Sequence, residues 1–388
     1  MGENLKESDL LKELVSQYEN EIEKIEKIDE IQDLSENCKI YNPWNTKKTS
    51  ELSKEFFAAL KNGDREFSWL NVDDKLRTLP GHDISIDYGI PSHVRGDIEN
   101  GTLFMCLVNP NIEYKGSKQK CMHSFYDEAR KIESDDKSLK VLDENGDISI
   151  TEQKISNYII DTDPKSSILL NELVSLRSKM VKNKKTPKKE YGYYLSRYFP
   201  QIIISYMHEK TTKHEKMTIQ PLMKNLSDAE WNRLEEMSKK IVNLEAFPFR
   251  SRTPNFTANK EKAKKRFANC LVNLDSDVSM LSARIIIWRI VKYLKDINED
   301  INITRPKFVF RRFNTAWLPS LIRVLRDDLS YTEDDSLELI KELHEYFFLT
   351  IDKKSSNRMT GYIGKRLFKN DTMLSDDEFD EFVRETLK

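Results

Sequence analysis

An apolar run that stops at Asn109 gives the first residue whose type and position could serve chemistry. The segment GTLFMCLVNPNIEY, Gly101 to Tyr114, is apolar from Leu103 to Val108 and then turns at Asn-Pro-Asn. Asparagine and proline are common turn residues, so an ordinary turn is one interpretation. The other is that a strand presents the Asn109 amide at the carboxyl edge of a parallel sheet, where α/β proteins bind their ligands.

Cations interleaved with aromatic rings form the second kind of candidate. The segment FPFRSRTPNF, Phe247 to Phe256, combines Arg250 and Arg252 with three phenylalanines, and its two prolines stiffen the loop. Two other segments, NKEKAKKRF and RSKMVKNKKTPKKEYGYYLSR, are also strongly basic. Cations pair with phosphates and rings stack on bases, so this pattern favours a nucleic-acid groove. A solvated surface loop is the alternative for each segment taken alone.

Two adjacent arginines end a further predicted strand in FVFRRFNTAW. Arginines that leave a buried strand need anionic partners. Strand alternation predicts that Arg312 faces opposite to Arg311 and Phe313. One guanidinium can therefore make a structural ion pair while the other faces a ligand cleft.

A polar loop follows the last predicted strand in DKKSSNRMTGYIGKRL, Asp352 to Leu367. Small polar residues followed by Arg358, Met359 and glycines are typical of a flexible loop that contacts phosphates with a protruding apolar tip. A helix N-cap by a serine or threonine of the same segment is the alternative.

Composition excludes several other chemistries. The formal net charge is -2, so only a local concentration of charge could indicate nucleic-acid binding. Neither a P-loop nor a G-x-G-x-x-G pattern occurs, and G-x-S-x-G and H-E-x-x-H are also missing from the sequence. The four cysteines are scattered without a C-x-x-C pair. We therefore predict neither a metal nor an organic cofactor.

The sequence also bears on location. The segment MGENLKESDL lacks the apolar core of a signal peptide, and no run approaches the ~20 apolar residues of a membrane span. We expect a cytoplasmic protein with reduced cysteines and no membrane association.

The elements that must position these candidates alternate between strands and helices from Leu103 onward. Apolar runs predict strands at TLFMCLVN, KKIVNLEAFPF, PKFVFRRF and EYFFLTID, and amphipathic helices lie between or after them. Such alternation predicts a parallel sheet with helices on both faces. We therefore predict a three-layer α/β/α sandwich around a mainly parallel four-stranded sheet.

The first part of the chain has a different pattern. Leucine, tyrosine and isoleucine recur at helical spacing from Leu11 to Ile28 in a strongly acidic segment. This predicts an amphipathic helix that packs on the body or binds a protein partner. We divide the chain into an acidic helical region, 1–87, and an α/β body, 88–388, with a helical insertion at about 115–237.

The order of these segments resembles the uracil-DNA-glycosylase-like superfamily, most of all its divergent bacterial and phage-associated members. The resemblance covers roughly residues 88–368 apart from the insertion, and it is carried by IPSHVRGDIENGTLFMCLVNPN, VNLEAFPFRS, SARIIIWRIV, KFVFRRFNTAW and NRMTGYIGKRL. It implies that the body is a uracil-DNA-glycosylase-like domain. Such a domain binds single- or double-stranded DNA and flips a base out of the stack.

The resemblance also implies roles for individual residues. The residue at the position of Asn109 holds the hydrolytic water beneath the deoxyribose in that superfamily, and Pro110 fixes the turn. Asn243 approximately matches an asparagine that reads the base in some relatives. The loop from Ser355 to Met359 matches the one that wedges the duplex and pinches phosphates.

Two departures from the superfamily change the expected substrate. Asn111 replaces the usual glycine and brings a side chain towards the base, and SSNRMT lacks the histidine of the second motif. An asparagine is not a strong general base, so a carboxylate such as Glu113 or Glu245 is a candidate for that role. These departures favour a modified or damaged base over uracil, in DNA repair or in defence against phage.

The leading hypothesis is a DNA glycosylase that hydrolyses an N-glycosidic bond. The alternatives are a catalytically silent nucleic-acid-binding or interaction protein on the same fold and an enzyme acting on free nucleotides. The predicted catalytic residues are Asn109, Glu113 and Glu245. Base contacts are expected from Pro110, Asn111, Tyr114, Asn243, Phe247 and Phe249. DNA contacts are expected from Arg250, Ser251, Arg252, Arg312, Asn314, Ser355, Ser356, Asn357, Arg358, Met359, Lys184, Lys185, Lys188 and Lys189.

Overall fold

The structure is a computed structural model. It describes residues 8–25, 42–44, 46–65, 67–70, 74–81, 89–110, 121–131, 140–183, 192–207, 219–250, 254–273, 277–299, 303–351 and 367–387. Its strands are β1 Val94–Arg95, β2 Leu103–Leu107, β3 Ile160–Asp161, β4 Ile241–Glu245, β5 Lys307–Phe310, β6 Phe348–Thr350, β7 Phe368–Lys369 and β8 Thr372–Met373. They form one eight-stranded sheet in the order β3-β1-β4-β2-β5-β6-β7-β8.

The sheet is mixed, and its central strands run parallel. β4, β2, β5 and β6 are parallel neighbours, whereas β1 pairs antiparallel with β4, and β7 and β8 continue antiparallel from β6. The predicted α/β class agrees with this sheet, but the predicted count of four strands does not. The four additional strands are two residues long each, too short to leave an alternating apolar pattern in the sequence.

Helices occupy most of the remaining described chain. The bounds are α1 Asp9–Ile25, α2 Thr46–Asn62, α3 Asp74–Arg77, α4 Met122–Lys131, α5 Glu152–Ile159, α6 Ile168–Asn183, α7 Tyr193–Arg197, α8 Pro200–Met207, α9 Ile219–Asn225, α10 Asp228–Ser238, α11 Lys260–Ala263, α12 Phe267–Val272, α13 Asp277–Asn298, α14 Leu318–Arg323, α15 Glu333–Tyr346 and α16 Asp376–Leu387. A 3₁₀ turn spans Pro164–Ser166, and π-helical turns at Phe313–Trp317 and Val324–Asp328 flank α14.

Alternate residues of the central strands point into two separate hydrophobic clusters. Phe104 and Cys106 of β2 belong to the first cluster, with residues of α1, α2, α13, α14 and α15. Met105 and Leu107 belong to the second cluster, with residues of α6 to α10 and α16. Helices therefore cover both faces of the sheet. The latter half of the predicted insertion, α6 to α10, covers the second face.

The N-terminal helix α1 packs on the body. Leu11 and Leu14 are buried in the first cluster, and α1 lies against α13 and α15. Lys295 of α13 forms an ion pair with Glu19 at 2.8 Å. The packed alternative thus applies to the described part of this helix. Binding of a protein partner through its acidic outer face stays a prediction.

The turn that leads into β2 requires glycine at two positions. Gly96 has a φ of 106°, and a side chain on it would meet the Ile241 carbonyl oxygen at 2.7 Å. A Cβ on Gly101 would lie 2.4 Å from both the Asp97 oxygen and a Val242 methyl. The close approach of this turn to β4 positions β2 beside it.

Among the helices that the structure describes, none combines the length and apolar character needed to cross a bilayer.

Candidate active site at the carboxyl edge of the sheet

The order of the parallel strands places a topological switch point beside β2. The chain passes from β2 to β4 on one side and then to β5 on the other side of β2. In open α/β sheets, ligands bind outside the carboxyl ends of the strands at such a point. Asn109 follows β2, and Arg311 and Arg312 follow β5. These predicted site segments therefore share one edge.

Asn109 lies half-buried just beyond the end of β2. Its Nδ2 donates a hydrogen bond to the Pro110 carbonyl oxygen at 3.0 Å, and Pro110 is buried. The amide thus helps to shape its own turn. Water holding by Asn109 stays a prediction. The predicted neighbours Asn111, Glu113 and Tyr114 lie outside the described residues.

Glu245 is a buried carboxyl at the end of β4. It is paired in register with Leu107 of β2, and only 4% of it is exposed. Burial raises its pKa well above the usual range, although the nearby Arg311 guanidinium opposes that shift. The carboxyl is therefore held in its neutral form, which suits a proton donor better than the general base considered from the sequence.

Asn243 lies on the same face of β4 as Glu245, two residues earlier. It is 2% exposed and is flanked by Met105 of β2 and Arg95 of β1. Neither its Nδ2 nor its Oδ1 has a hydrogen-bond partner among the described residues, and neither does Oε2 of Glu245. Buried polar groups are nearly always hydrogen-bonded, so such groups need a specific explanation.

The two arginines after β5 diverge, as strand alternation predicts. The Arg311 backbone N–H donates to the Cys106 carbonyl oxygen at 3.0 Å and extends the ladder between β5 and β2. Its guanidinium donates to the Tyr198 hydroxyl and lies 5.9 Å from the centre of that ring. Arg312 instead donates to the Phe256 carbonyl oxygen at 3.1 Å.

The backbone after β5 has an unusual conformation. Arg312 is a non-glycine residue with a φ of 54°, and the π-helical turn Phe313–Trp317 follows it directly. Left-handed non-glycine residues and π-helical turns are both enriched at functional sites. The predicted DNA-contacting residue Asn314 is exposed on this turn. The sequence gave no indication of this conformation because arginine does not favour it.

Phe247 and Phe249 occupy the core, which corrects their predicted exposure to a base. Both belong to the first hydrophobic cluster, with ring centroids 5.4 Å apart in edge-to-face geometry. Phe249 also packs against Trp44. Arg250 donates to the Ile90 carbonyl oxygen at 3.1 Å and lies 5.0 Å from the centre of the Tyr158 ring. These residues have structural partners that a base or phosphate contact would have to displace.

The insertion contributes a tyrosine cluster that the sequence placed in a nucleic-acid groove. Tyr194 and Tyr198 of α7 are buried over the carboxyl end of the sheet, with ring centroids 5.6 Å apart. Burial raises the pKa of both phenols, and the charge of Glu245 adds to each shift. The YGYY run was the available sequence signal, but its contact with Arg311 spans 113 residues of chain.

Histidine and metal chemistry have little basis in the described residues. His93 lies beside β4, and its Nδ1 accepts a hydrogen bond from Trp44 Nε1 at 2.9 Å. Burial lowers the pKa of His93 to about 3, so its ring is neutral at physiological pH. No three His, Cys, Asp or Glu side chains of the described ranges cluster as metal ligands would.

Several predicted contacts lie outside the described residues. They comprise Ser251, Arg252, Lys184, Lys185, Lys188, Lys189 and the loop residues Ser355, Ser356, Asn357, Arg358 and Met359. Their roles in DNA binding stay predictions.

No protein-family model matches the chain, and no significant match is found among curated proteins or solved structures. The superfamily resemblance of the five sequence segments stays a prediction.

Proposed function

We propose that the protein is a DNA glycosylase that hydrolyses the N-glycosidic bond of a modified or damaged base. One observation supports this most strongly. Asn109 and the neutral Glu245 carboxyl follow or end the adjacent parallel strands β2 and β4, beside the arginines that follow β5. We infer a three-layer α/β/α sandwich around the four parallel strands as the framework of this site.

The chemistry requires a water for the sugar and a proton for the departing base. The Asn109 amide would orient the water, whose oxygen bonds to C1′ as the bond from C1′ to the base nitrogen breaks. The Glu245 carboxyl would donate its proton to the base and recover one from the attacking water. A carboxyl kept neutral by burial is the usual general acid of glycoside hydrolysis.

A base inside duplex DNA cannot reach a site at the edge of a sheet without leaving the stack. The proposal therefore includes base flipping. Arg312 and the exposed Asn314, on the strained turn after β5, are the described residues placed to meet the backbone. Phosphate contacts of this kind fix position and carry no sequence information.

A specific observation favours a second candidate, a catalytically silent DNA-binding protein on the same fold. Asn243 and Glu245 are at most 4% exposed, and Phe247 and Phe249 are packed in the core. A flipped nucleotide would have to uncover at least part of this surface. A protein that binds DNA without opening it would retain the present packing.

A substrate screen separates the two candidates. DNA duplexes and single strands carrying uracil, deaminated or alkylated bases and hypermodified pyrimidines are incubated with the protein and tested for abasic sites. The glycosylase proposal predicts abasic sites in at least one substrate, lost in Asn109→Ala and retained in the exposed control Asn298→Ala. DNA binding without abasic sites in every substrate would favour the silent protein.

A further inference from the structure

Unpartnered polar atoms on β4 face the helices of the insertion. Asn243 and Glu245 share a face with Ile241, which belongs to the second hydrophobic cluster together with Leu195 and Phe199. Both amide atoms of Asn243 and one carboxyl oxygen of Glu245 are buried without a hydrogen-bond partner among the described residues. Groups so placed are suited to bind a ligand that supplies the missing hydrogen bonds.

Helix α7 lies across from these groups. The Tyr194 and Tyr198 phenols are near enough to Glu245 for their charges to interact, and Tyr198 also accepts a hydrogen bond from Arg311. Arg311 follows β5, two strands away from Glu245 across β2, at a backbone spacing of roughly 9–10 Å. Its long side chain and that of Glu245 extend over the intervening Leu107.

The position of α7 is fixed by a single carboxylate of α6. Glu172 accepts hydrogen bonds from the backbone N–H groups of Tyr194 at 3.1 Å and Leu195 at 2.6 Å. A Cβ on Gly192 would lie 2.2 Å from Cδ of Glu172, so only glycine permits this approach. The insertion thus holds its two tyrosines against the sheet with a built contact rather than by loose packing.

We propose that Tyr194 and Tyr198 of the insertion form the second wall of a buried ligand site over Asn243 and Glu245, and that this site selects a small neutral ring or group with adjacent hydrogen-bond donor and acceptor atoms. A lactam, a carboxamide or a urea has this arrangement. The inference rests on the proposed function, since the ligand would be the base removed from DNA. It assigns selection among bases to the inserted helix.

The choice of a neutral ligand follows from the chemistry of the wall. A carboxamide and a protonated carboxyl each offer one donor and one acceptor side by side. An anion would leave the acceptor atoms opposed, and a cation would oppose the guanidinium of Arg311 in a site that excludes water. The ring faces of the two tyrosines favour a planar ligand over an extended one.

Calorimetric titration of the full-length protein tests the inference without DNA. The probes are free uracil, 2-pyridone and urea as neutral ligands, with benzoate as the anion and benzene as the apolar ring. The wild-type protein should bind at least one cyclic neutral probe and neither benzoate nor benzene. Tyr198→Phe and Tyr194→Phe, which keep the rings, should each weaken binding about five- to tenfold through one lost hydrogen bond.

Tyr193→Phe is the matched control, because Tyr193 is 41% exposed on the same helix, and it should bind as the wild type does. Failure of every neutral probe to bind, or unchanged affinity in both tyrosine variants, would overturn the inference. Base release is measured separately. Probe binding without base release would sink the glycosylase alone, whereas base release with unaltered substrate preference in both variants would sink the tyrosine wall alone.

Discussion

Glu245 shows how the surroundings of one side chain decide what it can do. Its place at the end of β4 follows from the apolar run before it, whereas its neutral state follows from burial beneath the insertion. A neutral carboxyl can give a proton to a leaving group but takes one poorly. The same burial leaves Asn243 without a partner in the described structure. Residue-scale tests should therefore address protonation.

Replacement of Glu245 by glutamine should abolish the proton donor while it keeps the neutral shape. The wild-type rate of base release should decline as pH rises through the elevated pKa of Glu245, because only the protonated carboxyl donates. We expect Glu245→Gln to be slower by about 10²–10⁴-fold and to lack this alkaline decline. Rates are measured from pH 5 to 10, with the exposed Glu299→Gln as control. A variant as fast as the wild type would remove Glu245 from the mechanism.

His93 should make the fold sensitive to acid. Its pKa is about 3 in the folded protein and about 6.5 when unfolded, so the unfolded state binds the proton more tightly. The stability due to neutral His93 is fully present above pH 6.5 and is lost as pH falls towards 3. At pH 5 the loss should be about 2 kcal/mol relative to pH 7.5.

Urea unfolding at the two pH values measures this loss. His93→Gln, which can still accept from Trp44, should lose less stability on acidification than the wild type. The exposed His123→Gln should behave as the wild type. Equal losses in wild type and His93→Gln would show that His93 does not titrate as described.

At the scale of elements, the long strands were predictable and the contacts between distant elements were not. β2, β4, β5 and β6 follow from apolar runs that end at polar residues, and those ends carry Asn109, Glu245 and Arg311. The contact between Arg311 and Tyr198 depends on how the insertion folds back over the sheet, which local patterns do not encode. The protonation of Glu245 depends on the same packing. Rings that were expected at a base, such as Phe249, complete the core because apolar turn residues bury themselves when a neighbouring cluster accepts them.

Helix α1 should contribute to the stability of the body. Leu14 is fully buried against the first hydrophobic cluster, and loss of a buried leucine side chain costs about 2–5 kcal/mol. Leu14→Ala should therefore lower the free energy of unfolding in urea by that amount. Ser16→Ala, exposed on the same helix, should change it little. If both variants unfold at the wild-type urea concentration, α1 does not pack as described.

For the whole molecule, the distribution of charge matters more than its sum. A net charge of -2 gives no general attraction for DNA, so affinity must come from local clusters. Glutamine at Lys184, Lys185, Lys188 and Lys189 should weaken DNA binding and flatten the log-log salt dependence by up to roughly 3 or 4 units. Fluorescence anisotropy at several salt concentrations measures the slope. Lys54→Gln combined with Lys61→Gln, both exposed on α2, is the control. An unchanged slope in the fourfold variant would make these lysines ordinary surface residues.

The most direct test of the proposed function is single-turnover release of a free base, identified by mass spectrometry, from the best substrate of the screen. The wild-type protein should release the intact base and leave an abasic site in an unbroken strand. Asn109→Ala should bind the same DNA with similar affinity and release the base at least about 100-fold more slowly, since it cannot orient the water. Wild-type protein that releases no base, or an Asn109→Ala variant that releases it at the wild-type rate, would contradict the account.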